Sequence, residues 1–197
     1  MTLLHATLGT PDGAFTLVVN ESHVLASGWT SDISQLVQLI HPKLRGGDEL
    51  RRGNGDAPSG VGAPETGSNQ TLEHGVRAVE AYYSGDIGAL DGVPVQQRSG
   101  PFREHAWEVL REVRPGHPLS YAEYARRTER PAAIRAAAGA CAKNAAALFV
   151  PCHRIIRTDG GLGGFRYGVE IKQSLLQREA DLARSHPAGP RLESPAR

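Results

Sequence analysis

The hydrophobic period of the chain changes at Ser99-Gly100-Pro101. Before that point apolar residues come in short runs broken by turn residues; after it they recur at helical spacing. Any fold must therefore join a strand-bearing half to a helical half. Leu3–Leu8, Phe15–Val19 and Val24–Trp29 read as strands, with Pro11-Asp12-Gly13 and Asn20-Glu21-Ser22 as turns. Ile33, Leu36, Val37 and Ile40 have the spacing of a short helix. Leu72, Val76, Val79 and Tyr83 predict another over 71–84, stopped by Gly85. Residues 46–68, rich in Gly with Pro, Ser and Asn, predict a flexible surface loop with no folded element. Val93–Gln97 reads as a last strand.

Beyond Pro101, the residues Phe102, Ala106, Trp107, Leu110 and Val113 define an amphipathic helix, ended by Pro115-Gly116-His117-Pro118. Ser120 stands three residues before Glu123, the spacing of a capping box, and opens a helix through Arg127. A turn with Glu129-Arg130-Pro131 leads into a helix over 132–143, and two helices joined this closely suggest a helix-turn-helix. The last helix is predicted over 170–182, with Ile171, Leu175, Leu176 and Leu182 as its buried face. The division expected is an α/β N-terminal domain over 1–92, a linker over 93–100, a mainly α-helical C-terminal domain over 101–182 and a disordered tail over 183–197.

At 197 residues the chain has room for one ordinary domain or two small ones. Its longest apolar runs, such as 145–150, are far too short to span a bilayer, and the first residues lack the pattern of a secretory signal. A cytoplasmic protein with no membrane contact is the expectation. Two cysteines, Cys141 and Cys152, argue against a disulfide-held fold, and the eight scattered histidines give no zinc pattern. The net charge of +1 conceals an asymmetry. Residues 1–98 carry 6 Lys/Arg against 11 Asp/Glu, whereas 121–166 carry 8 against 3. Positive charge gathers around the cysteines, where a polyanion would be held, although a solvated basic face has the same composition.

The helix over 132–143 is mostly Ala and Gly, with Arg135 as the one long cation before Lys143 closes it. Small side chains let a helix backbone approach another surface closely, whether a neighbouring helix or a nucleic acid. Arg135 suits either a carboxylate partner or a wedge in a base stack. Val150-Pro151-Cys152-His153-Arg154 follows. A free thiol has a pKa of about 8.5 and is mostly protonated at neutral pH, and a nearby His, Arg or helix N-terminus can draw it down. A lone Cys-His pair is more commonly a buried structural thiol beside a polar ring. The stretch Gly160-Gly161-Leu162-Gly163-Gly164-Phe165 lacks a phosphate-loop pattern and fits a tight pocket wall better.

Taken in order and spacing, Arg135, Asn144, Pro151-Cys152-His153-Arg154, Leu162-Gly163-Gly164-Phe165 and Lys172 through Glu179 resemble the O6-alkylguanine-DNA alkyltransferases, or methylated-DNA–protein-cysteine methyltransferases. The strong match covers about residues 99–182. The resemblance implies a ribonuclease-H-like N-terminal sheet and a winged-helix-like C-terminal domain with a helix-turn-helix, and a transfer that needs no metal or cofactor. It implies DNA repair by single-use transfer of an alkyl group from O6-alkylguanine to Cys152, with O4-alkylthymine as a second candidate substrate. Cys152, His153 and Glu179 would form a thiol–water–imidazole–carboxylate chain. Asn144 would be the hinge, and Tyr121 would assist base rotation and hydrogen-bond the guanine. Arg135, Ala136, Gly139, Lys143 and Arg154 would meet double-stranded DNA in the minor groove, with Arg135 filling the space of the flipped base. Tyr121, Val150, Gly163, Gly164 and Phe165 would line the alkyl pocket. The expected solution state is a monomer, with cooperative binding on DNA left open.

Three departures stand out: Ala145 where the family commonly has Pro, Ala138 where a Gly is common, and Arg114-Pro115-Gly116-His117 in place of Pro-Tyr-Gly. Three other classes compete. Alkyltransferase-like binding proteins replace the cysteine that is present here. A helix-turn-helix regulator would read the major groove with polar side chains that the Ala-rich helix lacks. A cysteine hydrolase would leave the basic surface without a role.

Overall fold

The structure, a computed structural model, describes residues 2–45, 50–52 and 68–185. Strands β1 (Leu3–Thr10), β2 (Gly13–Val19) and β3 (Val24–Gly28) form an antiparallel meander. Thr10 pairs directly with Gly13 across a two-residue turn. The short helices α1 (Ile33–Leu39) and α2 (Pro42–Arg45) follow, and Asp32 caps the first by accepting from the Ser34 amide. Strand β4 (Leu50–Arg52) then pairs parallel to β1, which gives the sheet order β3-β2-β1-β4. The expectation of a structureless loop over 46–68 is thus corrected at 50–52, where backbone pairing to β1 outweighs polar composition. The rest of that stretch, apart from Ser68, lies outside the described residues.

Helix α3 (Ser68–Tyr83) packs on the sheet. Its approach is close enough that a Cβ at Gly75 would lie 2.6 Å from Leu17 Cδ1, so this position accepts only glycine without repacking. The buried stripe runs through Leu72, Val79 and Tyr82, while Tyr83, expected on it, is half-buried.

The second half begins with α4 (Pro101–Arg111), which has Pro101 in its first turn. Next come β5 (Leu119–Ser120), α5 (Tyr121–Arg127) and α6 (Ile134–Ala142). The Ser120–Glu123 capping box forms as expected. Strand β6 (Ile155–Ile156) pairs parallel with β5, and α7 (Val169–Ser185) ends the described chain. Helix α7 runs three residues past the expected end, and the remainder of the expected tail lies outside the described residues. Among the described residues no helix is long and apolar enough to cross a membrane.

The two halves are not packed separately. One core runs from Phe15, Leu17, Val24 and Trp29 through Tyr82 to Trp107, Leu110, Tyr124, Leu148 and Leu175. Strand β3 would otherwise present a free edge, which needs backbone partners. Val24 exchanges hydrogen bonds with the Pro94 carbonyl (2.9 Å) and the Gln96 amide (2.9 Å), and Ser27 does so with the Ala145 carbonyl (2.9 Å) and the Ala147 amide (3.1 Å). Val93–Gln97 is therefore a single bridge at Val95 rather than a full strand. The sheet edge of the first half thus holds the segment that leads to Cys152.

Candidate active site around Cys152

From the end of α6 the chain turns at Asn144, runs along β3 as residues 145–147, and reaches a 3₁₀ turn at Cys152–Arg154. Within this path Leu148 takes a left-handed φ of 75°, a costly conformation for a branched side chain and one held here by full burial. Asn144 is buried and uses its whole amide. Its Nδ2 donates to Cys152 Sγ at 3.2 Å and to the Val150 carbonyl at 2.8 Å. Its Oδ1 accepts from the Ala146 amide at 3.1 Å and from Gln97 Nε2 at 3.0 Å.

Behind the thiol lies a charged cluster closed off from water. Glu179 is fully buried, and its Oε1 accepts from His153 Nε2 (2.9 Å), Arg154 Nη2 (2.9 Å) and the Tyr82 hydroxyl (3.1 Å). Its Oε2 accepts from Arg154 Nε at 2.9 Å. Burial opposes the Glu179 charge, but His153 and Arg154 outweigh it and hold the carboxyl at about 2. Burial also lowers the His153 pKa, and the nearby Arg154 and Lys172 charges add to that against the pull of Glu179. His153 is thus a neutral ring. Because an ionised Glu179 only accepts, Nε2 carries the proton and Nδ1 keeps a lone pair. Nδ1 makes no hydrogen bond within the described protein.

Burial pushes the Cys152 thiol above its ordinary value, while the Asn144 hydrogen bond and the Lys172 charge pull the other way. Lys172 is buried too, with Nζ donating to the carbonyls of Ile155 (2.6 Å) and Leu162, which ties the glycine-rich loop to β6. The sequence offers a nearby His, Arg or helix N-terminus as the source of thiolate character, with His153 acting through a water. The structure shows Arg154 turned to Glu179 instead.

Cys152 is only 9% exposed, through a cavity of about 380 Å³. Tyr121, Ala138, Cys141 and Ala142 form one wall; Gly164, Phe165, Arg166 and Tyr167 form the other. This volume lies toward the low end of the range for small-molecule pockets, about 300–1,000 Å³. Trp29, from the strand-bearing half, backs the second wall, with ring centroids 5.9 Å from Phe165 and 5.6 Å from Tyr167. Arg166 Nη2 donates to the Ala142 carbonyl at 2.6 Å and so clamps the loop to the end of α6. Burial pushes Tyr121 up to about 12, with the two cysteines adding to the shift, so its hydroxyl stays a donor.

The structure brings Cys152, His153, Glu179, Asn144 and Tyr121 together, with Gly164 and Phe165 at the cavity wall. Val150 and Gly163 do not line it. Val150 is turned into the core and contributes its carbonyl to Asn144, and Gly163 sits behind Tyr121. Arg154, expected on the DNA-facing surface, is 3% exposed, and its guanidinium is held by Glu179 and the Val113 carbonyl; it positions the cluster. Arg135 and Ala136 are exposed and Gly139 is half-exposed on α6, whose inner side is Ala137 and Ala140, and Lys143 is exposed at its C-cap. Cys141, Arg166, Tyr167 and Gln97 were not singled out from the sequence. Only Cys141 carried a signal, through its helical spacing from Ala138.

A family model described as 6-O-methylguanine DNA methyltransferase, DNA binding domain, matches residues 101–181. The bifunctional transcriptional activator/DNA repair enzyme Ada of Escherichia coli is 43% identical over 89 residues, which are 45% of this chain and 25% of that protein. This chain therefore spans about a quarter of that relative's length. The methylated-DNA–protein-cysteine methyltransferase of Shigella flexneri is 30% identical over 183 residues, 91% of this chain and 97% of that one. Among solved structures, Mycobacterium tuberculosis OGT in complex with DNA has the same fold, with a TM-score of 0.67 at 24% identity, covering 91% of this chain and 94% of that one.

Proposed function

The chain belongs to the methylated-DNA–protein-cysteine methyltransferase family, and on that footing we propose that Cys152 takes the alkyl group of O6-alkylguanine in duplex DNA and keeps it. The observation that carries this reading is the seat of Cys152 Sγ. It lies in the cavity beneath α6, hydrogen-bonded to Asn144 and next in the chain to a neutral His153 whose free lone pair is opposite its bond to Glu179. In the proposed step a water passes the thiol proton to His153 Nδ1, and the sulfur attacks the alkyl carbon in line with the departing O6. One S–C bond forms as the C–O6 bond breaks. The electron pair leaves with the guanine, which is neutralised by a proton, and the thioether is stable, so each molecule acts once. Tyr121, held protonated, donates to the base.

In this reading α5 and α6 are a helix-turn-helix with the β5–β6 pair as its small wing, and the first half is the ribonuclease-H-like sheet. The exposed small residues of α6 let its backbone enter the minor groove, and Arg135 fills the stack vacated by the flipped base, whose extrusion costs a few kcal/mol. O4-alkylthymine is a second substrate candidate. A monomer in a reducing cytoplasm suits a reaction that needs Cys152 as a free thiol. The test is intact mass after mixing with a duplex bearing O6-methylguanine. The expected result is one methyl in place of one hydrogen, on Cys152, and none in Cys152→Ser. Arg135→Ala should slow transfer from duplex far more than from the free base, and equal losses on both would remove the wedge role.

A further inference from the structure

Gln97 lies outside the matched domain of residues 101–181, in the stretch expected to be a plain linker. Its side chain nonetheless makes both of its hydrogen bonds to the Asn144 turn. The Ala145 amide donates to Gln97 Oε1 at 2.7 Å, and Gln97 Nε2 donates to Asn144 Oδ1 at 3.0 Å. A proline at 145, common in the family, has no hydrogen to make the first of these bonds. The orientation of Asn144 matters because its amide has one donating and one accepting end. With Oδ1 held by Gln97 and Ala146, only Nδ2 can face Cys152 Sγ. Turned over, the amide would set an oxygen against the sulfur and oppose a thiolate.

We propose that Gln97 is a positioning residue for the transfer: its amide reads the Ala145 N–H and fixes Asn144 so that Nδ2 stabilises the Cys152 thiolate. The proposal rests on the reading of Cys152 as the alkyl acceptor. Gln97→Glu keeps the shape and still accepts from Ala145, but an ionised carboxylate cannot donate to Asn144. Gln97→Leu removes both bonds.

The experiment is the rate of iodoacetamide labelling of Cys152 against pH, followed by peptide mass so that Cys141 is counted separately. Loss of one hydrogen bond to a charged sulfur should raise the midpoint by about one pH unit in both variants. Labelling would then be about tenfold slower at neutral pH and converge with the unaltered protein at high pH. The double variant Gln97→Leu/Ala145→Pro, which removes the stranded N–H, should regain melting temperature but keep the raised midpoint. Unchanged midpoints, an equal rate loss at every pH, or a midpoint restored by the double variant would each overturn the proposal. Labelling uses no DNA. A protein that labels as described yet takes no methyl from lesion-bearing duplex would defeat the repair reading and leave the Gln97 link standing.

Discussion

Glu179→Gln should be far more damaging than an isosteric change usually is. Glu179 is fully buried and takes four hydrogen bonds, two of them from Arg154. Its carboxyl is held at about 2 from an ordinary 4.5, against burial, by His153 and Arg154. That depression corresponds to about 3 kcal/mol of folding stability. Since the folded pKa lies below the unfolded one, the stabilisation is fully present above pH 4.5 and is lost as pH falls toward 2. The amide keeps one accepting oxygen but turns an NH2 toward Arg154 and leaves that buried cation without its counter-charge. Breaking a buried pair from one side costs about 3–5 kcal/mol, a large part of the roughly 5–15 kcal/mol that holds a domain together. Urea unfolding followed by the fluorescence of Trp29 and Trp107 measures this at neutral pH and at steps down through that window. The variant should lose at least about 3 kcal/mol at neutral pH and lose correspondingly less than the unaltered protein on acidification. A cost within about 0.5 kcal/mol, as for an ordinary surface change, or an unaltered acid slope, would refute the account of the cluster.

On the proposed contact between Tyr121 and the base, Tyr121→Phe should slow single-turnover transfer about tenfold, the loss of one hydrogen bond. Because Tyr121 is pushed up to about 12, the rate of the unaltered protein should show no inflection from this group in the ordinary tyrosine range near 10. Gly28→Ala would place a Cβ 2.0 Å from Tyr167 Cζ and Oη. It should cost about 1–3 kcal/mol in a urea titration and, by displacing Tyr167 from the cavity wall, alter the rate of iodoacetamide labelling at Cys152. A variant of normal stability would show that the wall is not held by this contact.

What could be read from the sequence was local. The β1–β2–β3 meander, the Ser120–Glu123 capping box and the Ala-rich helix depend on neighbours a few residues away, and they stand close to where the pattern put them. The inner face of α7 depends on partners far along the chain. Of the apolar face expected there only Leu175 is fully buried, Ile171, Leu176 and Leu182 are half-buried, and Lys172 and Glu179 are buried on either side of Leu175. What satisfies them is distant in sequence: Ile155 and Leu162 carbonyls for Lys172; His153, Arg154 and Tyr82 for Glu179. The same distance hid Gln97, which meets Asn144 only because β3 binds both the 94–96 segment and the 145–147 segment on one edge. Arg154, which the resemblance puts on the DNA-facing surface, turns inward because α7 brings Glu179 against it.

The raised thiol pKa and the demand for a nucleophile are compatible once the proton path is considered. A thiol above its ordinary value is less than a few per cent ionised at neutral pH, so Cys152 rests in its unreactive form. In the proposed single-use transfer, this limits loss to stray electrophiles. Ionisation then has to occur with substrate in place, and the groups present favour that order. Neutral His153 can receive the proton, Asn144 and Lys172 stabilise the sulfur charge, and the Glu179 carboxylate compensates the imidazolium that results. A base seated in the cavity would cover Cys152, and every one of these interactions strengthens as water leaves. The reactivity of Cys152 toward a bound base should therefore exceed its reactivity toward a small electrophile in open solution by more than proximity alone provides. The comparison to make is the rate with O6-methylguanine base against the rate with iodoacetamide: both should fall in Asn144→Ala, and the reaction with the base should fall further.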